Sequence, residues 1–183
     1  MTATFEARDI TVNFGAVRAV DGVSLEVRDG EILGLIGPNG SGKSTFLNAI
    51  SGVVPASGTA RVHGAPLALG KPRRIRHAGL MRTYQTPQNI YSLTCVENVL
   101  LTTTNQHRRG LLGSWIDRPG MARAERERCE KAHAALARVG LADQAKATAR
   151  HLSGGKQQRL ALALALVGRP SVAFLDEPHA GLD

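Results

Sequence analysis

Apolar and polar residues alternate along the amino-terminal part of the chain, and this alternation predicts β-strands. It is weak across residues 5–12 and clear across residues 23–27, with a turn at residues 13–15 between them. A mostly apolar run at residues 31–36 predicts a short buried strand, and residues 44–50 predict the first turns of a helix. The pattern therefore places a strand, a loop and a helix in succession.

Further along the chain, residues 59–63 and 79–84 each predict a short strand, and residues 172–175 predict a buried one. The segment at residues 159–167 is apolar nearly all round, so we expect a buried helix there. Ser153 stands where its side chain can cap that helix.

Between about residues 90 and 150 the pattern changes to helical. Residues 97–102 predict a short helix, and residues 121–139 predict a long one. The long helix has a narrow apolar stripe and pairs Glu127 with Lys131 at the favourable i,i+4 spacing. We interpret it as the solvated face of a helical insertion and not as a site of chemistry.

The composition fits a folded protein with one substantial core, since 43% of the 183 residues are hydrophobic. The longest apolar run, residues 160–167, is too short to cross a bilayer, and the amino terminus lacks a basic and then apolar signal segment. We therefore expect a cytoplasmic protein. Cys95 and Cys129 stand far apart without metal-ligand spacing, which favours reduced structural thiols.

The formal net charge of +8 and the pI near 10.3 leave open a nucleic acid, an anionic membrane or an acidic partner. Basic residues cluster at residues 71–77 and 108–109. Aromatic residues make up only 4% of the chain, and no RNA-binding aromatic pattern or DNA-reading helix accompanies these clusters. We expect a solvated or membrane-facing basic surface, and the pattern argues against a nucleic-acid partner.

The candidate chemistry centres on the loop between the strand predicted at residues 31–36 and the helix that follows. Its spacing of glycine, four residues, glycine, lysine and serine is typical of a phosphate-binding loop. Lys43 would lie against the β- and γ-phosphates of a nucleotide, and Ser44 would bind Mg²⁺. The alternative is a glycine-rich turn that matches by chance. The loop consists of Gly37, Pro38, Asn39, Gly40, Ser41, Gly42, Lys43 and Ser44, and Thr45 continues into the helix.

Two adjacent carboxylates stand at the end of the strand predicted at residues 172–175. Asp176 and Glu177 are costly to bury without a cation or protons. Asp176 can hold Mg²⁺ directly or through water, and Glu177 can polarise an attacking water towards a γ-phosphate. The alternative is an exposed acidic turn.

Three other features of the sequence each allow two interpretations. Phe14 is either ordinary edge-strand core, which we favour from the residues alone, or a flat face for a purine base. Gln85 is either a polar cap or a ligand group beyond the carboxyl end of a strand. Ser153, Gly154 and Gly155 either only begin the following helix or form a second anion site at its N-terminus.

Together, the loop at residues 37–44, the run Leu152-Ser153-Gly154-Gly155 and the strand ending Asp176-Glu177-Pro178 resemble the ATP-binding cassette ATPases. The resemblance extends from Phe14 to the last residue. It implies an α/β fold, in which a P-loop NTPase (RecA-like) core carries a small antiparallel β subdomain and a helical subdomain inserted at about residues 90–150.

The same resemblance implies ATP and Mg²⁺ as cofactors and assigns roles. Phe14 would stack on adenine, contrary to the core interpretation. Gln85 would link Mg²⁺ and the attacking water to the partner subunit, and Glu177 and Lys43 would act beside it in catalysis. Residues 181–183 resemble the loop that crosses between two ATPase domains.

Partners follow from the resemblance as well. Two cassettes would close head to tail around two ATP molecules, so that residues 153–155 of one chain contact the γ-phosphate held by Lys43 of the other. The cassettes would dock on transmembrane permease subunits at the inner face of the cell membrane. The ATPase subunits of branched-chain amino acid importers are resembled by residues 82–85, 97–100 and 177–182 and by the insertion around Trp115. Urea, amide and lipopolysaccharide systems share much of this pattern.

Some positions depart from the family pattern. Lys156 replaces a usual glutamine and Leu164 a common arginine, and neither is expected to touch phosphate. The chain ends at Asp183, before the later strands and the switch histidine, and His179 cannot take that role. We therefore expect an incomplete cassette over residues 1–183 that lacks the last strands of the sheet. The alternative functions are a non-transport ATPase acting on nucleic acid or ribosomes, and an inactive nucleotide-binding truncation.

Overall fold

The computed structural model describes residues 3–83, 89–103 and 118–176, which form parts of two compact units. The first unit contains residues 3–82 and 170–176, and the second contains the described residues between 83 and 169. None of the described helices has both the length and the apolar character that a bilayer crossing requires.

The first unit is built on a four-stranded antiparallel sheet. The spatial order of its strands is β2-β1-β3-β4, which confirms the strand predictions at residues 5–12, 23–27 and 59–63. The strands are β1 (Ala3–Phe14), β2 (Val17–Arg28), β3 (Ser57–Val62) and β4 (Ala65–Pro66).

A bulge explains why the alternation in β1 is weak. The pairing register with β2 shifts between Ala7 and Ile10, and Asp9 within this interval has a φ of 53°. On the neighbouring strand β3, a Cβ at Gly58 would lie 2.6 Å from the carbonyl oxygens of Arg8 and Asp9. Glycine at this position therefore lets β3 approach the bulge closely.

Two helices and a short parallel sheet complete the first unit. They are α1 (Lys43–Ile50), α2 (Pro72–His77), β5 (Leu80–Arg82) and β6 (Val172–Phe174), and β5 pairs with β6 in parallel. The rings of Phe5 and Phe174 meet edge to face with their centroids 5.3 Å apart, so β1 and β6 share one core. The helix predicted at residues 44–50 and the strands predicted at residues 79–84 and 172–175 are confirmed, with shorter strands.

The prediction of a buried strand at residues 31–36 is wrong. This segment is not part of either sheet, and Ile32 and Ile36 are 98% and 94% exposed. A strand needs a neighbour to pair its N–H and C=O groups. In the described part of the chain, β5 and β6 pair only with each other and offer residues 31–36 no ladder. An apolar composition indicates that burial of a segment is favourable. It does not indicate whether a partner strand is available.

The described part of the second unit is helical. The helices predicted at residues 97–102, 121–139 and 159–167 are confirmed with earlier starts, and the predicted pair of Glu127 and Lys131 forms at 2.7 Å. The core of this unit includes Cys95, Val99, Leu136, Leu141 and Leu160. The helices are α3 (Cys95–Thr102), α4 (Arg118–Arg138) and α5 (Gly154–Leu166), with 3-10 turns at Ala142–Gln144 and Ala149–His151.

The turn before α3 is held by one buried amide. Asn98 is 2% exposed, and its Nδ2 donates to the carbonyl oxygens of Ile90, Leu93 and Thr94 while its Oδ1 accepts from the Ile90 N–H. At the helix start, the Thr94 hydroxyl and backbone N–H donate to the Glu97 carboxylate. These hydrogen bonds lower the pKa of Glu97, so its carboxylate stays charged at the positive end of α3.

We expect Asn98→Ala to lower the free energy of unfolding by about 2 kcal/mol or more, because it removes a buried amide and leaves part-buried backbone groups of the turn without these partners. Urea unfolding followed by circular dichroism measures this loss. Asn13→Ala is the matched control, since Asn13 is exposed on β1, and should change the stability by less than about 0.5 kcal/mol. Equal effects of the two substitutions would contradict the buried-amide explanation.

Candidate nucleotide site

The loop at residues 37–42 has the conformation that its glycines permit. Gly40 and Gly42 have φ values of 80° and 89°, and the Ser41 N–H donates to the Pro38 carbonyl at 3.2 Å. A Cβ at Gly42 would lie 2.5 Å from the Ala19 carbonyl oxygen of β2. Both the left-handed conformation and the close approach to β2 therefore require glycine at this position.

Helix α1 begins directly after this loop and presents open N–H groups. Its N-cap residue is Gly42, which has no side chain to bond them, and its first turn contains no acidic residue. The unpaired N–H groups and the partial positive charge at this end of the helix favour an anion. The loop and the helix start together can hold a phosphate group.

The side chain of Lys43 folds back across the loop. Its Nζ donates to the carbonyl oxygens of Gly37 and Pro38 at 2.6 and 2.7 Å, and it lies 3.5 Å from Ser41 Oγ. The ammonium group is thus already held where a phosphate would enter. Exchanging neutral carbonyl acceptors for charged phosphate oxygens would strengthen its hydrogen bonds.

Asp176 follows β6 and is paired with an arginine. Arg82 Nη2 lies 2.8 Å from Asp176 Oδ2, and the two side chains are only 6% and 17% exposed. Arg82 is the last residue of β5, and the register pairs it with Phe174. The parallel strands therefore bring Arg82 to the same edge as Asp176, where ligands of such sheets bind.

The second arm of Arg82 reaches α1. Arg82 Nη1 donates to Asn48 Oδ1 at 2.5 Å. Ser44 lies four residues before Asn48, so the two side chains share one face of α1, and Ser44 is one turn nearer the loop. Arg82 thus connects Asp176 to α1, the helix that Lys43 and Ser44 begin, within one unit. The Ser44 hydroxyl and the Asp176 carboxylate are the oxygen donors that Mg²⁺ prefers, so these residues fit the metal.

Sequence reasoning missed Arg82 and Asn48 as parts of this site. It anticipated that Asp176 needs a cation when buried, but it assigned that role to Mg²⁺ alone. The signal that identifies Arg82 is the register of β5 against β6, which no local pattern reveals.

Phe14 lies at the end of β1 and is 52% exposed, so the core interpretation of this residue is wrong. It pairs with Val17 across the β1–β2 hairpin. The same hairpin contacts the phosphate loop through Ala19 and Val20, which face Gly42. The ring is therefore available to a ligand, and its stacking on adenine stays a prediction.

The predicted side-chain cap at Ser153 is wrong. Ser153 is the N-cap residue of α5, but its hydroxyl makes no capping hydrogen bond. The helix start is held instead by the Gln157 side chain, which donates to the Leu152 carbonyl oxygen at 3.0 Å. A Cβ at Gly154 would meet nothing within 4 Å, so the helix start is open. The second anion site at Ser153, Gly154 and Gly155 stays a prediction.

Several predicted residues lie outside the described residues. These include Gln85 and Glu177, to which we assigned roles in metal binding and catalysis, and also Trp115, His179 and residues 181–183. Their roles stay predictions.

Comparison with known proteins decides the family, because a family model described as ABC transporter matches residues 20–180. The chain belongs to the ABC transporter family. It is 37% identical over 175 residues to LivG, the high-affinity branched-chain amino acid transport ATP-binding protein of Salmonella typhimurium, covering 95% of this chain and 69% of LivG. It is 41% identical over 180 residues to PhnC, the phosphate-import ATP-binding protein of Mycolicibacterium smegmatis, covering 97% of this chain and 66% of PhnC.

Solved structures agree with this ABC assignment. An ATP-binding cassette of an ABC transporter in its ADP conformation matches with a TM-score of 0.81 at 31% identity, over 100% of this chain and 72% of that one. A dimeric cassette in a post-hydrolysis state with ADP and Pi matches with a TM-score of 0.75 at 28% identity, over 98% and 76%. This chain accordingly has the predicted P-loop NTPase fold and is an ATP-binding ATPase of the ABC transporter family.

We expect Gly42→Ala to weaken ATP binding by about tenfold or more, because the added Cβ strains the backbone and meets the Ala19 carbonyl. Isothermal titration with ATP measures the affinity, and circular dichroism checks the fold. Gly40→Ala is the matched control, since Gly40 is also left-handed but a Cβ there meets nothing within 4 Å. Equal losses in the two variants would show that conformation alone matters and not the contact with β2.

Proposed function

We propose that the chain is the ATP-binding and ATP-hydrolysing subunit of an ABC importer. The observation that supports the proposal is that Arg82 connects Asp176 to Asn48 on α1, the helix that follows the glycine loop and begins with Lys43 and Ser44. The relatives LivG and PhnC are both named as ATP-binding proteins of transport or import systems. The site and the relatives thus support the same class of protein.

The proposed solute is a branched-chain amino acid or a related small polar compound. LivG is named for branched-chain amino acid transport, as is BraF of Pseudomonas aeruginosa, to which this chain is 35% identical over 179 residues, and PhnC is named for phosphate import. The residues of the candidate site are assigned to the nucleotide and its metal, so they carry no information on the transported solute. Relatives of similar identity therefore narrow the choice to small polar solutes, among which the LivG and BraF matches favour branched-chain amino acids.

Each residue of the site has one task in the proposed mechanism. The loop N–H groups and Lys43 bind and orient the phosphates, and Phe14 stacks on adenine. Ser44, Asp176 and Gln85 would hold Mg²⁺, which would offset the negative charge that develops on the phosphates. Glu177 accepts a proton from the attacking water and orients its oxygen towards the γ-phosphorus.

The proposed assembly contains a second cassette and a permease. Residues 153–155 at the open start of α5 would contact the γ-phosphate bound to the other cassette, in a head-to-tail dimer. A related cassette has been solved as a dimer with ADP and Pi. We place the assembly on transmembrane permease subunits at the cytoplasmic face of the membrane.

We expect Glu177→Gln to reduce ATP hydrolysis by about a hundredfold or more while ATP binding stays near that of the unchanged protein, because the amide cannot accept the proton. Phosphate release and isothermal titration measure the two quantities. Glu130→Gln is the control, since Glu130 is exposed on α4, and should leave both unchanged. Undiminished hydrolysis in Glu177→Gln would mean that another group activates the water.

We also expect the tagged protein, purified from its native cells in mild detergent, to carry a polytopic membrane protein with it. Mass spectrometry identifies the bound subunit, and ATP-dependent uptake into vesicles made with that subunit identifies the solute. Recovery with RNA or DNA that persists at high salt, and without a membrane subunit, would instead support the nucleic-acid alternative. ATP binding without hydrolysis in the assembled complex would support the inactive alternative.

A further inference from the structure

Arg82 has no role in the proposed mechanism, although it contacts residues of the site. Its guanidinium group donates through Nη1 to Asn48 Oδ1 at 2.5 Å and lies through Nη2 2.8 Å from Asp176 Oδ2. The arginine side chain is 6% exposed, so this contact is shielded from solvent. A planar guanidinium with several fixed donors can serve two acceptors at once, which a lysine ammonium does less well.

This ion pair already compensates the charge of Asp176. A carboxylate that is only 17% exposed is costly without a nearby cation, and Arg82 provides such a cation. A divalent ion on the same carboxylate would lie close to the guanidinium and be repelled by it. In a shielded site this repulsion is strong, because little water screens the two charges.

We propose that Arg82 is a positioning residue that acts as a placeholder cation for the metal site. It holds the Asp176 carboxylate in place before the metal arrives, and it lowers the affinity of that carboxylate for a free divalent ion. The proposal rests on the proposed function, because it takes Asp176 as a metal ligand.

The phosphates of the nucleotide remove this restriction. They bring several negative charges to the loop at residues 37–42, beside the face of α1 that carries Ser44 and Asn48. These charges offset the repulsion from Arg82 and supply further oxygen ligands. Asp176 would therefore bind the metal together with the nucleotide and not ahead of it. Arg82 thereby disfavours binding of a divalent ion to Asp176 when no nucleotide is bound.

The test measures binding of free Mn²⁺ by electron paramagnetic resonance, first without nucleotide and then with ATP. We expect Arg82→Gln to bind free Mn²⁺ about tenfold or more tightly than the unchanged protein, because the competing positive charge is gone. Asp176→Asn should abolish this gain when combined with Arg82→Gln. Arg73→Gln removes the same charge from an exposed position on α2 and should bind Mn²⁺ like the unchanged protein.

A second variant guards against loss of folding in Arg82→Gln. Asn48→Ala keeps the arginine but removes one of its anchors, so the guanidinium can move away from Asp176, and we expect free Mn²⁺ affinity to rise about two- to fivefold. Thermal melting by circular dichroism shows which variants are folded. If the folded variants bind free Mn²⁺ no more tightly than the unchanged protein, Arg82 is not a placeholder.

The measurement with ATP distinguishes a failure of the placeholder role from a failure of the proposed function. If the unchanged protein binds ATP, and binds Mn²⁺ with it through Asp176, but Arg82→Gln and Asn48→Ala leave free Mn²⁺ affinity unchanged, only the placeholder role is overturned. If the unchanged protein binds neither ATP nor Mn²⁺ in the presence of ATP, the proposed function itself is overturned.

Discussion

The parallel register of β5 and β6 is the constraint on which the candidate site depends. It sets Arg82 opposite Phe174, and the guanidinium therefore reaches the carboxylate that follows β6. Because the same guanidinium binds Asn48, the contact also ties α1 to this edge of the sheet. Two strand ends and one helix thus share one polar cluster, in which the shielded charge of Arg82 or Asp176 would be costly without the other.

The phosphate loop depends in turn on the antiparallel sheet. Gly42 lies against the Ala19 carbonyl of β2, and it can do so only because it carries no Cβ. The hairpin that supports the loop also carries Phe14 at its tip, with the ring half exposed. In the proposed mechanism the adenine and phosphate ends of the nucleotide thus rest on one platform. The antiparallel sheet then has a direct role in binding as well as in packing.

The residues of the nucleotide site do not identify the transported solute of this protein. LivG and PhnC are named for different solutes, yet this chain resembles both at 37% and 41% identity. The residues that hold ATP in the proposed mechanism belong to a nucleotide site that different importers can share. The open start of α5 concerns the nucleotide as well, since we propose that it meets the phosphate of a second cassette.

Local sequence determined the elements whose stability is local. The alternation at residues 23–27 indicated a strand, the glycine spacing at residues 37–44 indicated the phosphate loop, and the i,i+4 pair of Glu127 and Lys131 formed as predicted. Each of these depends on residues near one another in the chain, so the pattern contains the necessary information. The set of motifs was also sufficient to indicate the ABC family.

Tertiary structure decided what depends on distant partners. The apolar run at residues 31–36 is exposed because no described strand pairs with it, although its composition suits a buried strand. Phe14 is half exposed although the sequence favoured core, and the Ser153 side chain does not cap α5. Arg82 entered the site through a contact with Asp176, 94 residues away. A charge pair of this kind forms only after the strands have taken their register, so the sequence by itself specified the loop and the carboxylate, and the fold supplied the cation between them.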